Sequence, residues 1–294
     1  MQQTLERKMN ETPDTDALMQ RAIELAIEED LGSALTDLTT DSIVSEKVTA
    51  VGAVYCKQAG VIAGLEIFKM VMQRFDRRIQ IKNSVGDGAF VSIIPTTLLT
   101  FSGPAASILK AERLSLNLLQ RMSGIATITR QFVNKAGQHS IQILDTRKTT
   151  PGLRVFERQA VALAGGTNHR FGLFDAILIK DNHVRLAGGI TPAIKSARAG
   201  HPHLPVEVET TTLAEVEDAL QCQAERILLD NMTAEMIRDA VELIAGRAYI
   251  EVSGGVNLAN LNQFLIRGVN GISIGALTHS APSLDISLEV ETFV

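Results

Sequence analysis

The stretch PVEVETTTLAEVEDALQCQAERILLDN, residues 205–231, decides the fold because it contains a complete strand–helix–strand unit. PVEVE and RILLDN are short apolar runs, which are typical of buried strands. Between them, TLAEVEDALQ is predicted to form an amphipathic helix. Two strands joined through a helix run parallel when they share a sheet, so this stretch predicts an α/β architecture.

The same pattern recurs on both sides of this stretch, from about residue 140 onward. Six apolar runs are predicted to be parallel strands: IQILD, DAILIK, PVEVE, RILLDN, AYIEVSG and GISIGA. Five amphipathic segments are predicted to be helices: LRVFERQAVALA, TPAIKSARAG, TLAEVEDALQ, TAEMIRDAVELIA and NLANLNQFLIRG. The later strands recur about every 20 to 30 residues, the spacing of βα units. Six units favour an incomplete α/β barrel of the TIM type, and periodicity alone leaves a doubly wound sheet open.

The first part of the chain has a different pattern. A first helix is predicted with Asp14 or Asp16 as its cap and Gly32 just past its end. VTAVGAVYC, RIQIKNSV and TTLLTFSG are rich in β-branched residues and are predicted to be antiparallel strands, with a helix over residues 64–75. A long helix is predicted over residues 106–122, and we expect a domain boundary near its end.

Composition excludes several classes of protein. The 294 residues suggest about two domains, and a net charge of −5 argues against a general polyanion binder. Aromatic residues make up 4% with no Trp, which argues against base-stacking on nucleic acid. Cys56 and Cys222 form no metal or redox motif, so we expect reduced thiols and a cytoplasmic protein. No apolar run is long enough to span a membrane, and we expect the N-terminal MQQTLERKMNETPDTD to be a tail rather than a secretory signal.

Polar residues end every predicted parallel strand. The carboxyl ends of such strands open on one face, where ligands bind. These ends supply Asp145, Lys180, Glu207 with Glu209, Asp230, Ser253 and Gly275. The six ends together favour one polar site, although polar residues that merely cap strands at the surface would give the same pattern.

The charges of this predicted site fall into two groups. The positive group is Arg147, Lys148, His169, Arg170 and Lys180, and the negative group is Glu209 and Asp230. Lys and Arg bind phosphates and carboxylates, whereas carboxylates bind Mg²⁺ or ribose hydroxyls. The combination therefore suits a polyanionic substrate that carries a divalent cation. The glycine-rich ends SGG and SIGA also leave backbone N–H groups accessible to an anion.

Several motifs together resemble the quinolinate phosphoribosyltransferase family. They are TRKTTPGLR (146–154), GGTNHR (165–170), LIKDNH (178–183), VEVE (206–209), LLDN (228–231), EVSGG (251–255) and SIGALTHS (273–280). The helical segment AERLSLNLLQRMSGIAT (111–127) and DLTT (37–40) resemble the family too. The resemblance covers nearly the whole chain in the right order.

The resemblance implies a fold and a reaction. The implied fold is an N-terminal α/β sandwich domain, residues 1–125, followed by an incomplete TIM-like α/β barrel, residues 126–294, whose last residues can pack back on the first domain. The implied reaction joins quinolinate and phosphoribosyl pyrophosphate, with Mg²⁺, to give nicotinate mononucleotide, pyrophosphate and CO₂ in NAD biosynthesis. It also implies a homodimer, with the possibility of a higher oligomer, in which the N-terminal domain of one chain completes the site of the other. No nucleic acid or membrane partner is expected.

The resemblance also implies residue roles. Quinolinate is expected to contact Arg113, Arg147, His169 and Arg170. Phosphoribosyl pyrophosphate is expected to contact Lys148, Lys180, Glu209, Asp230, Ser253, Gly254, Gly255, Ser273, Gly275 and Ala276. The catalytic residues would be Lys148, Lys180, Glu209 and Asp230, and the last two would face the metal, directly or through water. On spacing alone, Arg113, Asn117 and Arg121 indicate a solvated helix face, so the role of Arg113 comes from the resemblance.

Two departures and two alternatives accompany this interpretation. Gln159 stands where the family more often has Tyr, and Ala164 where it more often has a third Gly, so the resemblance does not predict the shape of the quinolinate pocket.

One alternative is a related enzyme with a different acceptor, such as nicotinate. The other is a catalytically silent protein that binds a sugar phosphate. Such a protein would not need both carboxylates and the whole basic set.

Overall fold

The computed structural model describes residues 13–293, and the chain divides into two compact units. The barrel unit contains Gln131–Lys148 and Gly166–Ala276. The antiparallel unit contains Asp14–Arg130, Thr149–Gly165 and the residues from Leu277 onward. The predicted tail at residues 1–12 lies outside the described residues, and the domain boundary after residue 125 stays a prediction.

The secondary structure alternates as a mixed α/β chain. The strands are β1 (Thr49–Cys56), β2 (Gly60–Val61), β3 (Gln80–Asn83), β4 (Phe90–Val91), β5 (Thr96–Pro104), β6 (Gln142–Leu144), β7 (Ile177–Ile179), β8 (Val206–Thr210), β9 (Arg226–Asp230), β10 (Tyr249–Ser253), β11 (Gly271–Ser273) and β12 (Ile286–Phe293). The α-helices are Thr15–Leu31, Leu38–Ile43, Leu65–Phe75, Ala105–Ala136, Arg154–Leu163, Asp181–Ala187, Ile190–Gly200, Leu213–Gln221, Ala234–Ile244 and Ala276–His279.

The antiparallel unit is built on a four-stranded sheet in the order β12-β1-β5-β3. Its core contains fully buried side chains from the sheet and from the helix Leu65–Phe75, among them Phe68 and Leu99. The first helix begins at the predicted cap, because Asp14 accepts hydrogen bonds from two backbone N–H groups of the first turn. It ends at Gly32, whose φ of +67° suits glycine.

The barrel unit contains the predicted parallel sheet. Its six strands lie in the order β6-β11-β10-β9-β8-β7, so β6 and β7 form the edges of the described sheet. The strands adjoin in chain order from β7 to β11, and β6 lies beside β11, which is the order of a barrel left open between β6 and β7 and not that of a doubly wound sheet. The predicted α/β fold class is confirmed. Among residues 13–293, no helix has the length and apolar character needed to cross a bilayer.

The strand period places charged residues on the inner face of the barrel. In β8, Val206 and Val208 are fully buried on one face, while Glu207 and Glu209 share the other. The register sets Glu207 beside Arg226 at the start of β9, and Arg226 beside Tyr249 at the start of β10. Charged residues therefore occur at two levels of the same strands.

Some predicted elements differ from the structure. The helix predicted over residues 257–268 is wrong, because only a 3-10 turn at Leu261–Gln263 forms there. In this turn the backbone bonds connect residues three apart, from Gln263 N–H to the Asn260 carbonyl and from Phe264 N–H to the Leu261 carbonyl, so no α-helix propagates. The long helix predicted to end at residue 122 continues to Ala136. Strand β12 and the helix Asp181–Ala187 were not predicted.

Candidate active site

Three charged side chains meet where β7, β8 and β9 end. The Lys180 ammonium Nζ lies 2.7 Å from Oε2 of Glu209. Burial and the negative charge of Glu209 raise the pKa of Asp230, while Lys180 and Lys148 act in the opposite direction. These four residues therefore lie within electrostatic reach of one another, and we call Lys148, Lys180, Glu209 and Asp230 the barrel rim.

Two guanidinium groups lie close together in the same unit. Burial and the positive charge of Arg147 lower the pKa of Arg170, so the two side chains repel each other. The Arg170 guanidinium donates to the Ala176 carbonyl at 3.1 Å, which holds it in this position. Two partly buried guanidinium groups within electrostatic reach of each other form a favourable site for a carboxylate or phosphate.

The loop after β10 has a backbone that only glycine can form. Gly254 has a φ of +101°, and a Cβ there would lie 2.2 Å from Oδ1 of Asn231. The neighbouring Gly255 has a φ of +63°. Asn231 is held in turn, because its N–H donates to the Ser253 carbonyl and its amide to Asp230. The loop is thus a rigid backbone turn next to a rim carboxylate.

The residues predicted at the end of β11 separate into two environments. Ser273 is buried beside Glu251, whose pKa is raised by burial but lowered overall by His169 and, to a smaller degree, by Ser273 and Arg226. Gly275 and Ala276 are half-buried at the point where the chain leaves the strand. Ser273 therefore belongs to the inside of the barrel, whereas Gly275 and Ala276 remain candidates for ligand contact.

His169 also faces the inside of the barrel. Its Nε2 lies 3.3 Å from Oε1 of Glu251 and 3.5 Å from Oε2 of Glu207. Burial lowers the pKa of His169, but its close contact with Glu251 and the charges of both carboxylates raise it overall. The backbone N–H of His169 donates to Oδ1 of the buried Asp145 at 2.7 Å, so both backbone and ring are fixed.

Sequence reasoning assigned no role to three charged residues beneath the rim. Arg226 Nη2 lies 2.9 Å from Oε2 of Glu251, and Arg226 Nε lies 3.5 Å from Oε2 of Glu207. The Arg226 guanidinium also stacks 3.9 Å from the centroid of the Tyr249 ring. We call Glu207, Arg226 and Glu251 the interior cluster. The sequence did contain a sign of this cluster. Each of three otherwise apolar strands contains a charged residue two or four positions before its polar end, and this spacing puts both residues on the same face of the strand.

Arg113 lies in the antiparallel unit on the helix Ala105–Ala136, and its side chain is 62% exposed. Arg121, eight residues on, does not lie on a solvated face as its spacing indicated. It forms a 2.9 Å ion pair with the fully buried Glu157 and donates to the carbonyls of Thr278 and Ala281. Arg121 is therefore structural, while Arg113 presents an exposed cation.

The two departures from the family pattern have clear local settings. Ala164 ends the helix Arg154–Leu163 with a φ of −88°, so this position does not require glycine. Its carbonyl accepts a 2.9 Å hydrogen bond from Arg130. In the part of the chain that the structure describes, Oε1 of Gln159 is buried without a hydrogen-bond partner. Of these two positions, Gln159 is therefore the one with an unmet side-chain hydrogen bond.

Comparisons with known proteins agree along the whole chain. The family models described as "Quinolinate phosphoribosyl transferase" match residues 37–123 with the N-terminal domain and residues 125–289 with the C-terminal domain. The chain is 42% identical to the chloroplastic nicotinate-nucleotide pyrophosphorylase [carboxylating] of Oryza sativa, over 93% of this chain and 78% of that protein. It is 39% identical to the mitochondrial quinolinate phosphoribosyltransferase [decarboxylating] 2a of Nicotiana tabacum, over 99% and 86%.

Solved structures show the same similarity. The crystal structure of NadC from Streptococcus pyogenes matches with a TM-score of 0.90 and 40% identity, covering 97% of this chain and 100% of that one. The nicotinate-nucleotide pyrophosphorylase of Ehrlichia chaffeensis matches with a TM-score of 0.88 and 34% identity, covering 96% and 100%. Fold and sequence therefore agree with one family.

Proposed function

The chain belongs to the quinolinate phosphoribosyltransferase family, and we propose how its charged barrel performs the reaction of that family. The enzyme transfers the phosphoribosyl group of phosphoribosyl pyrophosphate to quinolinate. The transfer is accompanied by decarboxylation, so the products are nicotinate mononucleotide, pyrophosphate and CO₂. The residue roles, the metal, the dimer and the cytoplasmic location are the parts of this proposal that go beyond family membership.

The repulsion between Arg147 and Arg170 is the observation that carries the proposed substrate site. Quinolinate is a dianion, and two adjacent guanidinium groups in a partly buried setting gain most when an anion lies between them. We assign Arg147, Arg170 and His169 to quinolinate within one chain. Their position in the barrel unit, together with Lys180 at the strand end, would orient the ring nitrogen toward the rim.

The barrel rim is assigned to phosphoribosyl pyrophosphate. Lys148 and Lys180 would neutralise charge on the departing pyrophosphate, while Glu209 and Asp230 would face the ribose hydroxyls and Mg²⁺. The residues fit a divalent cation, because burial and the adjacent Glu209 leave Asp230 with a raised pKa that a cation would reverse. When bound, Mg²⁺ would stabilise negative charge on the pyrophosphate. Ser253, Gly254, Gly255, Gly275 and Ala276 would line the ribose phosphate.

This arrangement suits a reaction without a protein nucleophile. The pyridine nitrogen forms a bond to the anomeric carbon as the bond to pyrophosphate breaks. The ring nitrogen then carries a positive charge, which stabilises the electron pair left on the adjacent carbon when CO₂ departs. A proton completes that carbon. The chain's own residues bind, orient and neutralise charge.

Acceptor choice tests this function. Quinolinate carries two carboxylates and nicotinate one, so nicotinate would leave a guanidinium of the pair without an anion. We expect kcat/KM for quinolinate to exceed that for nicotinate by at least 100-fold, about 2.7 kcal/mol. Release of CO₂ and formation of pyrophosphate should be equal. Comparable values for the two acids would favour the enzyme with a different acceptor, and absent turnover would favour the silent binding protein.

The proposed homodimer is supported by the exposure of Arg113, a cation on a unit that holds none of the other assigned quinolinate residues. If each site takes its barrel from one chain and Arg113 from the other, Arg113→Ala and Lys180→Ala should complement. Mixing the two inactive variants in equal amounts, then unfolding and refolding, should leave roughly a quarter of sites intact. Refolded wild type is the control. A mixture as inactive as either parent would show that Arg113 acts within its own chain or not at all.

The cytoplasmic location rests on the cysteines. Cys56 is buried and Cys222 is partly buried, and both are free thiols. Reduced thiols are typical of cytosolic proteins. Cell fractionation with an antibody against the chain tests this location, and recovery in an oxidising compartment would contradict it.

A further inference from the structure

The interior cluster lies directly under His169, one of the residues assigned to quinolinate. Oε1 of Glu251 and Oε2 of Glu207 both approach the same ring nitrogen, Nε2, at 3.3 and 3.5 Å. The side chains of both acids are at most 5% exposed, and that of His169 is 10% exposed. These close contacts are therefore shielded from solvent, where electrostatic attraction is strong.

The other ring nitrogen is also engaged. The backbone N–H of Arg170 donates to Nδ1 of His169 at 2.7 Å. In the neutral ring, Nδ1 must then be the acceptor, and the proton lies on Nε2, facing the two carboxylates. Within the neutral ring, the interior cluster thus favours the tautomer whose Nδ1 accepts from the Arg170 backbone.

Stability does not explain why two acids share one arginine here. Burial and the charge of Glu251 raise the pKa of Glu207 to about 7, which means that its charged form is poorly compensated. Buried ionic groups of this kind are commonly replaced by apolar residues without loss of stability. A functional reason is therefore needed for the second carboxylate.

Metal binding is a poor explanation for the second carboxylate. His169, Glu207 and Glu251 do place three possible ligand atoms within 4.8 Å of one another. The Arg226 guanidinium, however, already contacts both carboxylates at 2.9 and 3.5 Å. A dication in the same space would be repelled by that fixed positive charge.

We propose that Glu207 and Glu251 are positioning residues for quinolinate. They hold the His169 ring, the ring holds the backbone of Arg170, and the Arg170 guanidinium is thereby kept beside Arg147. The proposal rests on the proposed function, since it concerns how the assigned quinolinate site is kept in shape. Neither acid touches the substrate in this account.

The test is a double-mutant cycle between Glu251→Gln and His169→Ala. We expect Glu251→Gln alone to raise the KM for quinolinate about tenfold, as the loss of a buried ionic contact to the ring would. The KM for phosphoribosyl pyrophosphate and kcat should change less than about twofold. In the His169→Ala background, Glu251→Gln should have almost no further effect, because it acts through the ring.

A matched control is Glu225→Gln. Glu225 precedes β9, pairs with Arg198 at 3.0 Å and is 46% exposed, so the same substitution there should leave all three constants unchanged. If Glu251→Gln does not fold, as judged by thermal unfolding, Glu207→Gln takes its place in the cycle. An effect that persists in full in the His169→Ala background, or that raises both KM values together, would overturn the proposal. Failure of wild type to release CO₂ from quinolinate would instead overturn the proposed function.

Discussion

The barrel rim and the interior cluster occupy the same strands, yet they differ in what surrounds their charges. At the rim, the Lys180 side chain is 47% exposed and pairs with one carboxylate. Two residues before Glu209 on β8, Glu207 is 5% exposed and shares Arg226 with Glu251. Rim charges can therefore exchange their partners for a substrate, whereas the interior charges are enclosed and contact one another. The rim should therefore govern turnover, and the interior should govern stability and the shape of the quinolinate site.

The largest expected effect is on stability. Arg226→Met removes the cation that both interior carboxylates contact, and it leaves two buried acids without compensation. We expect a loss of about 3–5 kcal/mol of unfolding free energy, as for other broken buried pairs. The melting temperature should fall by roughly 10 °C.

Arg198→Met is the control for this substitution, because Arg198 pairs with Glu225 near the surface and should contribute at most about 1 kcal/mol. Both variants can be compared by denaturant unfolding. An Arg226→Met protein as stable as the control would show that the interior cluster contributes no more to stability than an exposed ion pair does. It would contradict the distinction between the interior cluster and the rim.

The next effect is on activity. Lys180→Ala removes a fixed cation beside Glu209 at the end of β7 while disrupting only an exposed pair. We expect kcat/KM to fall about 10²- to 10³-fold, with stability changed by less than about 1 kcal/mol. Lys195→Ala, an exposed lysine on the helix Ile190–Gly200, should retain full activity in the same assay. Near-normal turnover of Lys180→Ala would remove this residue from the site.

A smaller effect concerns pH. The pKa of Glu207 is raised to about 7 by burial and by Glu251, with His169 and Arg226 acting against the shift, while its unfolded value is 4.5. The folded chain therefore binds this proton more tightly, and the stability that it contributes is lost as pH rises toward and through 7. We expect the unfolding free energy to fall by about 2–3 kcal/mol between pH 5 and 8. Glu207→Gln should flatten this slope, and an equal slope in both proteins would contradict the assignment.

The two regions also differ in how far the sequence predicts them. Strand ends such as Lys180, Glu209 and Asp230 stand out because polar residues follow apolar runs, and the family motifs contain the same positions. Glu207 and Glu251 lie within those motifs too, but only the register of three strands brings them to Arg226. Pairing between strands separated by whole helices is set by tertiary packing, which local patterns do not contain.

Strand β12 was missed for a similar reason. ISLEVETF has few buried residues, since only Ile286 is fully covered, so its apolar pattern is weak. It forms because its backbone pairs with β1, from Ile286 opposite Cys56 to Phe293 opposite Ala50. The helix predicted over residues 257–268 shows the opposite error, where a helical apolar pattern gives only the 3-10 turn Leu261–Gln263, although Asn257 accepts backbone hydrogen bonds as a helix cap would.

The most direct test of the distinction between rim and interior uses one strand and one substitution. Glu209→Gln and Glu207→Gln change the same residue type two positions apart on β8, and the measurement is kcat for CO₂ release at saturating quinolinate, phosphoribosyl pyrophosphate and Mg²⁺. We expect Glu209→Gln to lose about tenfold or more, because a charged contact to the reacting sugar is removed. Glu207→Gln should keep kcat within about threefold of wild type, since its effect falls on quinolinate binding. Equal losses of kcat in the two variants would contradict the separation of a reacting rim from a supporting interior.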